Sequence, residues 1–481
     1  MVAMVFIGIF AVSTGVAVDS DTWWHLAAGR WMVAHHRILT HDEFSGPRYG
    51  HPWVNHSWLS QVPMFLVWDR FGFGGLNAAT AALVTLAFLF VYLQCEGGAY
   101  LKAFTLQLAV IAAGLYWPAR PQIISLVLAS VFVYILYLFR WGRLNRLWML
   151  PPLMVLWVNL HAGFVIGFLL LIVVVLGQAA SAVLRQRGPG VVGWPGVAAL
   201  AATAAACAAL VPLNPYGSQM YTFAFQTVSI SVLRDFIQEW MSPNFHVPGA
   251  QGFIWLLLAT FAAVGLSRRR IDLTDLLLVA VFSYLALLAA RNIPVFALIA
   301  APVLARHAAA GLGAAAEGWP RWASLSGTDR ESGSPRAAVH WVLLALILGI
   351  ALARVSVPLE RSVNLSAIGK SMPLGAAEFV QKSRPRGPMF NSYNWGGYLA
   401  WTLAPAYPVY VDGRTDLYSD AFLREYILVT TVPEAWQPVF DREGIRLAVI
   451  EQRSLLAEEL RRAPGWRIAY SDALAAVFVR K

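Results

Sequence analysis

Residues 162–184 form the stretch AGFVIGFLLLIVVVLGQAASAVL, which contains no charged residue. A transmembrane α-helix needs about 20 predominantly apolar residues, so this stretch predicts a helix that crosses a bilayer. Similar segments recur along most of the chain. They predict eleven spans, at residues 1–17, 74–94, 102–117, 121–139, 147–160, 162–184, 193–211, 251–266, 272–290, 293–305 and 337–357.

The composition of the whole chain supports the same conclusion. Of its 481 residues, 58% are hydrophobic and 13% are charged, and the mean hydropathy is +0.58. Soluble domains contain about 45–50% apolar and about 25% charged residues, so the sequence indicates an integral membrane protein. Its 2 cysteines are too few for a disulfide framework or a cysteine-rich metal site.

The distribution of basic residues predicts the orientation in the membrane. If the N-terminus is cytoplasmic, the cytoplasmic loops between the predicted spans carry 13 Lys and Arg residues, and the outer loops carry 7. Cytoplasmic loops of membrane proteins are enriched in these residues. We therefore expect a cytoplasmic N-terminus. The net charge of +10 is then mostly a property of the cytoplasmic loops and does not imply a nucleic-acid partner.

Residues 358–481 differ in character from the preceding chain, because apolar runs give way to mixed, charged sequence. Strand-like runs at 388–390, 408–411, 446–450, 466–470 and 474–479 alternate with helical stretches near 397–403, 421–429, 434–443 and 455–461. This alternation predicts a small α/β domain that ends in a hairpin. The predicted architecture is an α-helical polytopic membrane bundle, residues 1–357, with a first outer loop at about 18–73, followed by an outer α/β domain, residues 358–481.

Polar side chains of the membrane region collect at the ends of spans that face the outer side. Charged groups at the membrane boundary are costly to desolvate unless they pair or meet a polar ligand, so a convergent set predicts a site. A single Arg or Trp at a span end is explained equally well as an interfacial anchor. The substrate-binding candidates in this region are His25, His56, Arg120, His161, Arg234, Glu239, Arg291 and Asn292.

Two pairs of carboxylates in the first outer loop are candidates for catalysis. Asp19 and Asp21 follow the first span and could bind a divalent cation, Mg²⁺ or Mn²⁺, or supply a general base; they could also cap a helix that starts near residue 22. Asp42 and Glu43 lie next to histidines, which favours a perturbed carboxylate pKa, or they are capping or solvated loop residues. The histidines lack the spacing of a zinc site.

The three outer arginines and two residues of the tail complete the candidates. Arg120, Arg234 and Arg291 come from different outer turns, and guanidinium groups suit a lipid-linked phosphate; interaction with lipid headgroups is the alternative. In the tail, Trp395 could stack on a sugar and Arg414 could bind substrate. Core packing and an ordinary turn are the alternatives for these two.

Short motifs along the chain resemble those of polytopic membrane glycosyltransferases of the GT-C superfamily, in particular a group of poorly characterised bacterial proteins. These motifs are DSDTWWHL at 19–26, WVNLH at 157–161, LNPYG at 213–217, RNIP at 291–294, NWGGYL at 394–399 and VDGR at 411–414. The signature Trp-Trp-Asp-Tyr-Gly of oligosaccharyltransferases is absent, which disfavours transfer to a protein asparagine.

The resemblance implies a glycosyltransferase of the bacterial inner membrane. Such an enzyme takes a sugar from a polyprenyl-phosphate-linked donor at the outer face and moves it to a glycan, lipid or protein acceptor. A first-loop acid then serves as general base or metal ligand, and either pair, Asp19 and Asp21 or Asp42 and Glu43, matches that position. A transporter or flippase without covalent chemistry is the alternative, although transporters concentrate ionisable groups nearer the middle of the membrane.

Overall fold

The computed structural model describes residues 1–16, 19–114, 117–316 and 335–481, without the side chains of residues 224, 228, 233, 234, 314–316 and 335–338. Eleven apolar helices in these ranges coincide with the predicted spans. They are α1 (Val2–Ser13), α3 (Trp58–Tyr92), α4 (Ala99–Ala113), α5 (Gln122–Arg140), α6 (Leu150–Leu160), α7 (Val165–Val183), α8 (Gly193–Leu210), α11 (Pro248–Leu266), α12 (Leu273–Leu288), α13 (Ile293–Ala316) and α14 (Pro335–Leu359).

The helices confirm a polytopic membrane protein. Among the described residues, seven helices are long and apolar enough to cross a membrane. Helices α1, α4, α6 and α12 are also apolar but shorter, between 10 and 17 residues. The number of crossings therefore stays a prediction, while the helical membrane bundle is established.

Helix α3 begins well before the predicted span at 74–94. Its backbone breaks at Gly72, where φ is +63°, a conformation that glycine adopts without steric cost. The break separates an outer segment, which starts at Trp58, from the apolar segment predicted by hydropathy. The outer segment packs against α2 (Ser20–His35). Two further short helices, α9 (Gln219–Ser229) and α10 (Ser231–Phe236), come before α11 in the chain.

The C-terminal segment folds around a four-stranded sheet, which confirms four of the five predicted strands. The strands are β1 (Met389–Asn391), β2 (Leu447–Glu451), β3 (Trp466–Ser471) and β4 (Ala475–Arg480), and their spatial order is β1-β2-β4-β3. Strand β1 is parallel to β2, and the other two pairings are antiparallel, with β3 and β4 as the closing hairpin. Its helices are α15 (Arg361–Gly369), α16 (Leu374–Ser383), α17 (Gly396–Leu403), α18 (Asp420–Thr431), α19 (Trp436–Arg442) and α20 (Leu455–Arg462).

The predicted strand at 408–411 is wrong, because this segment does not join the sheet. Its backbone pairs with the first outer loop instead: Val409 N–H donates to Phe44 O at 2.9 Å, and Gly46 N–H donates to Val409 O at 2.8 Å. The Asn391 side chain satisfies the neighbouring groups, accepting from Tyr410 N–H at 2.7 Å and donating to the carbonyl of residue 411 at 2.8 Å. A distant loop and one amide side chain therefore take the place of a neighbouring strand.

One hydrophobic cluster joins the first outer loop to the C-terminal segment. Buried Trp23 and Trp53 from the loop pack in the same cluster as Leu399 and Val477 from the C-terminal segment. Helix α17 approaches α2 so closely that a Cβ atom on Gly397 would lie 2.6 Å from the carbonyl oxygen of Ser20. The close approach requires glycine at this position, and it holds the start of α2 against the C-terminal segment.

Candidate active site at the outer end of the bundle

A cavity of about 1440 Å³ lies between the C-terminal segment and the adjoining ends of the membrane helices, the ends that the charge distribution predicts to face the outer side. Nine of the predicted site residues line it: Asp19, Asp21, His25, His56, Arg120, His161, Glu239, Arg291 and Asn292. The structure thus brings together side chains from separate outer turns, as the sequence-based hypothesis required.

Arg120 is the centre of a cluster of charged side chains in this cavity. Its Nη1 donates to Asp21 Oδ2 at 2.5 Å, its Nη2 donates to Glu239, and its Nε lies 3.8 Å from Asp19 Oδ2. Glu239 Oε1 also lies 3.5 Å from Nη1 of Arg291. Three carboxylates and two guanidinium groups therefore converge in one partly buried network.

Local backbone structure explains why these side chains converge. Asp19 is the N-cap of α2 and accepts a bond from Asp21 N–H at 2.8 Å, as the capping interpretation predicted, and this turn aims both acids at the cavity. Arg120 sits in a Pro-Ala-Arg-Pro turn, which places it immediately before α5. The turns that carry Glu239 and Arg291 are tied together, because Ala290 N–H donates to Met241 O at 3.0 Å.

Burial perturbs the protonation of the acids in the network. Burial raises the pKa of Asp21 to about 7; Arg120 opposes this shift, and the charges of Asp19 and Glu239 add to it. Burial also acts to raise the pKa of Glu239, but Arg291 and Arg120 outweigh it and lower that pKa below its ordinary value. The pKa values of the two neighbouring acids therefore shift in opposite directions. Glu239 is ionised, and Asp21 is poised to exchange a proton near neutral pH.

Histidines form another side of the cavity. Burial lowers the pKa of His25 well below its ordinary value, and the positive charge of Arg120 lowers it further. Burial also lowers the pKa of His56, although the nearby carboxylate of Asp416 acts in the opposite direction. These imidazoles are therefore neutral at physiological pH. The rings of His56 and His161 lie 5.6 Å apart between centroids.

The part of the cavity nearer the membrane is apolar. Its walls come from three membrane helices, α7, α12 and α13. The lining side chains are Val165, Ile166, Leu169, Phe282, Leu285, Leu288 and Val295. The cavity therefore combines a charged end at the network with an apolar groove between helices, as an amphipathic lipid requires.

A second cavity, of about 700 Å³, lies on another side of the same network. It is lined by residues of α1, α3 and α11 and by Gly114, which follows α4. Asp19, Arg120 and Glu239 line both cavities. The charged network is consequently accessible from two directions.

The acidic pair Asp42 and Glu43 is not brought to this network. Asp42 is completely buried and accepts bonds from Ser45 N–H at 3.0 Å and from Arg414 Nη1 at 2.6 Å. Glu43 accepts a bond from the Tyr49 hydroxyl at 3.2 Å. Neither acid lines the cavity, so their positions fit the capping and loop interpretations.

The two tail candidates are also held within the core. Arg414 is completely buried between Asp42 and Asp412, and its Nη2 donates to Asp412 Oδ2 at 2.6 Å. Trp395 is 3% exposed and donates through Nε1 to Ser371 O at 2.9 Å. Arg234 lies in α10, but its side chain lies outside the described residues.

The C-terminal segment contributes other residues to the cavity, which the sequence analysis did not assign to the site. Tyr393, Asn394 and Asp416 line it, and Asp416 accepts a bond from Trp53 Nε1 at 3.0 Å. Burial raises the pKa of Asp416. Gly413 lies so close to the network that a Cβ atom there would be 1.9 Å from Asp21 Oδ1. The neighbouring motifs NWGGYL and VDGR carried the signal for these residues.

The network does not have the arrangement of a divalent cation site. A divalent cation here would need carboxylate oxygens of Asp19, Asp21 and Glu239 as ligands. Each of these acids instead directs an oxygen at the guanidinium of Arg120, which supplies the compensating positive charge. Within the described ranges, no group of three or more His, Cys, Asp or Glu side chains is placed to hold a metal ion.

Comparison with protein-family models finds no match, and comparison with curated proteins finds none. Solved structures do match. The chain is similar to the apo oligosaccharyltransferase of Archaeoglobus fulgidus, with a TM-score of 0.53 and 11% identity over 94% of this chain and 69% of that one. It is also similar to the same organism's AglB in complex with an inhibitory peptide and a dolichol-phosphate. That match has a TM-score of 0.51 and 12% identity over 94% of this chain and 69% of the AglB chain.

The similarity extends to the arabinofuranosyltransferase AftD from Mycobacteria, with a TM-score of 0.51 and 15% identity over 99% of this chain and 41% of that one. The chain has the GT-C fold. The predicted fold class is thereby confirmed. At 11–15% identity the likeness establishes the fold and not the reaction.

Proposed function

We propose that the protein is a glycosyltransferase that moves a sugar from a polyprenyl-phosphate carrier to an acceptor hydroxyl. The observation that carries the proposal is the position of the Asp21–Arg120–Glu239 network, at the charged end of a cavity whose other end is an apolar groove. The charged end suits the reacting groups of an amphipathic donor, and the groove between α7 and α12 suits its tail. Both requirements of such a donor meet in one cavity.

The chemistry needs a base and a partner for the leaving group. Asp21 takes the proton of the acceptor hydroxyl as its oxygen attacks the anomeric carbon. The bond between that carbon and the phosphate oxygen breaks, and the phosphate leaves with the electron pair. Arg291 lines the same cavity and stabilises the negative charge that develops on the phosphate. Attack opposite the leaving group inverts the anomeric configuration.

Asp21 fits the role of base better than Asp19. A general base is most effective when its pKa lies near the working pH, and the pKa of Asp21 is raised to about 7. Asp19 Oδ1 is occupied by the cap of α2, which leaves one oxygen toward Arg120. Arg120 fixes the orientation of Asp21, and Asp19 fixes the turn that carries it.

The two cavities offer separate routes to the reacting atoms. A donor whose tail lies between α7 and α12 leaves the cavity of about 700 Å³ as a route for the acceptor, because the two cavities meet at Asp19, Arg120 and Glu239. The acceptor hydroxyl then reaches Asp21, which lines the larger cavity. The acceptor is a glycan, lipid or protein that offers a hydroxyl at the membrane boundary. On this proposal the site faces the outer side of a bacterial inner membrane, which the excess of Lys and Arg in the opposite loops favours.

The test is sugar transfer from a radiolabelled polyprenyl-phosphate donor by purified protein in proteoliposomes. Asp21→Asn removes the base and keeps the side-chain volume, and we expect transfer to fall by about 10²–10⁴-fold. The matched control is Asp441→Asn, whose carboxylate forms an exposed pair with Arg480. The control is expected to transfer sugar at the wild-type rate.

Two outcomes would overturn the proposal. One is wild-type transfer by Asp21→Asn with the fold intact. The other is movement of the lipid across the membrane without any transfer product, which would favour the transporter or flippase.

A further inference from the structure

The side chain of His161 is held at one ring nitrogen by two hydrogen bonds. Gly163 N–H lies 3.0 Å from His161 Nδ1, and Ser125 Oγ lies 2.8 Å from the same nitrogen. Ser125 Oγ in turn accepts a bond from Trp157 Nε1 at 2.8 Å. Trp157 is completely buried and Ser125 is 4% exposed, so this chain of bonds is shielded from water.

The direction of each bond in this chain follows from the chemistry of its ends. A backbone N–H and an indole N–H can only donate. Ser125 Oγ therefore accepts from Trp157, and its own proton is available for His161 Nδ1. Since Gly163 also donates to Nδ1, that nitrogen is unprotonated, and in the neutral ring the proton is on Nε2.

The packing around the chain of bonds leaves little freedom to rearrange. A Cβ atom on Gly163 would lie 2.3 Å from Ser125 Oγ and 2.9 Å from His161 Nδ1. Any larger residue at 163 would separate the serine from the imidazole. Ser125, Trp157 and Gly163 are thus positioning residues for the ring of His161.

The place of His161 in the cavity indicates what its free N–H meets. His161 caps the turn that leads into α7, and Val165, Ile166 and Leu169 of that helix line the apolar groove. A lipid tail that lies along these side chains brings its headgroup to the N-terminal end of α7. The helix dipole there and Arg291 in the same cavity both favour an anion.

We propose that His161 donates a hydrogen bond from Nε2 to the phosphate of the lipid-linked donor, and that Gly163, Ser125 and Trp157 fix the tautomer that makes this possible. The identity of the ligand as a lipid phosphate rests on the proposed function. The tautomer follows from the hydrogen bonds alone. In this role His161 is a permanent donor and does not serve as base.

Nitrogen-15 NMR of histidine-labelled protein tests the tautomer directly. His161, assigned by comparison with His161→Gln, should show a protonated Nε2 and an unprotonated Nδ1. Addition of undecaprenyl phosphate should shift the Nε2 resonance, and undecaprenol, which has the same tail without the phosphate, should not. A protonated Nδ1, or an Nε2 resonance unchanged by the phosphate, would overturn the inference.

Binding of the same two lipids to variants provides the second test. His161→Phe keeps a planar ring without the N–H, and we expect its Kd for undecaprenyl phosphate to rise by about 10- to 100-fold, as for a lost hydrogen bond to a charged group. His161→Gln carries an N–H at a similar distance from the backbone and should recover most of the affinity. Equal affinity of His161→Phe and wild type for undecaprenyl phosphate would contradict the role.

The positioning residues have a spectroscopic readout of their own. In Ser125→Ala, Nδ1 loses one of its two donors, so its resonance should move toward that of a free ring nitrogen while Nε2 stays protonated. An unchanged Nδ1 resonance would show that Ser125 does not act through His161. None of these measurements uses sugar transfer: a wild type that binds the lipid phosphate but transfers no sugar would refute the proposed function and leave the role of His161 intact.

Discussion

At the scale of single residues, the site depends on how Asp21 and Glu239 share the positive charge of Arg120. Asp21 and Glu239 both contact its guanidinium, but only Glu239 also faces Arg291. The second cation keeps Glu239 ionised, and that charge in turn raises the pKa of Asp21. Glu239 therefore acts on the proposed base through space.

This coupling predicts the pH dependence of a Glu239→Gln variant. Transfer requires ionised Asp21, so the rate falls as the pH drops through the pKa of about 7. The substitution removes a repelling charge and leaves more of Arg120 to Asp21, which lowers the pKa of Asp21. The acidic limb of kcat/KM should move to lower pH.

The measurement is a pH profile of kcat/KM for Glu239→Gln, wild type and the Asp441→Asn control. The control should show the wild-type limb, because its carboxylate is exposed on the C-terminal segment. A limb that stays in place, or moves to higher pH, would show that Asp21 is not the titrating group.

At the scale of structural elements, the first outer loop and the C-terminal segment hold each other through a buried ion network. Arg414 donates to Asp42 at 2.6 Å and to Asp412, and all three side chains are completely buried. The Asp42–Arg414 pair is separated by 372 positions in the sequence. Buried pairs of this kind are costly to break, because the remaining partner stays uncompensated in a medium of low dielectric constant.

Removal of the Asp42 carboxylate should therefore destabilise the protein. We expect Asp42→Asn to lower the free energy of unfolding by about 3–5 kcal/mol, the range for breaking a buried pair. Denaturant unfolding of the purified protein in detergent measures the change. Asp441→Asn breaks an exposed pair and should cost at most about 1 kcal/mol; equal losses in the two variants would contradict the structural role of Asp42.

Gly413 lies so close to α2 that it has no room for a side chain. A methyl group at 413 must displace the Asp21 carboxylate, because the nearest oxygen would be 1.9 Å away. A displacement of about 1 Å at a reacting group costs on the order of 10²-fold in rate, and we expect Gly413→Ala to lose about that much transfer. Gly465→Ala, where no atom lies within 4 Å of the added carbon, is the matched control; equal rates of the two variants would separate Gly413 from catalysis.

At the scale of the whole molecule, the two ends of the bundle use charge differently. At the end opposite the site, Arg140 and Arg306 both bond to Asp275, and Arg306 also bonds to Glu96 and stacks on Trp141 at 3.9 Å. The cavity beside this cluster has a volume of only about 40 Å³. Room for a large ligand therefore lies at the end that carries Arg120.

The orientation of the bundle is testable with single cysteines. Arg453→Cys lies on the C-terminal segment and Arg146→Cys between α5 and α6, and both positions are exposed, whereas the native Cys95 and Cys207 are buried. Because cytoplasmic loops are enriched in basic residues, we expect a membrane-impermeant maleimide to label only position 453 in intact cells. Position 146 should react after permeabilisation, and the reverse pattern would place the site on the cytoplasmic side.

Local sequence properties determined the class of the molecule. Hydropathy over about 20 residues is sufficient to predict membrane helices, because lipid forces each span to satisfy its own backbone. The same local signals predicted four strands of the tail correctly, and they predicted the convergence of Asp19, Asp21 and Arg120 at one end of the bundle.

Tertiary structure alone decided which charged residues share a partner. Asp42 and Asp21 are both acids of the first outer loop, yet one is buried against Arg414 and the other faces the cavity. The segment at 408–411 pairs with that loop and not with the sheet, and Gly413 thereby comes to lie against Asp21. Contacts between positions hundreds of residues apart depend on the packing of whole elements, which no local pattern of apolar and charged residues specifies.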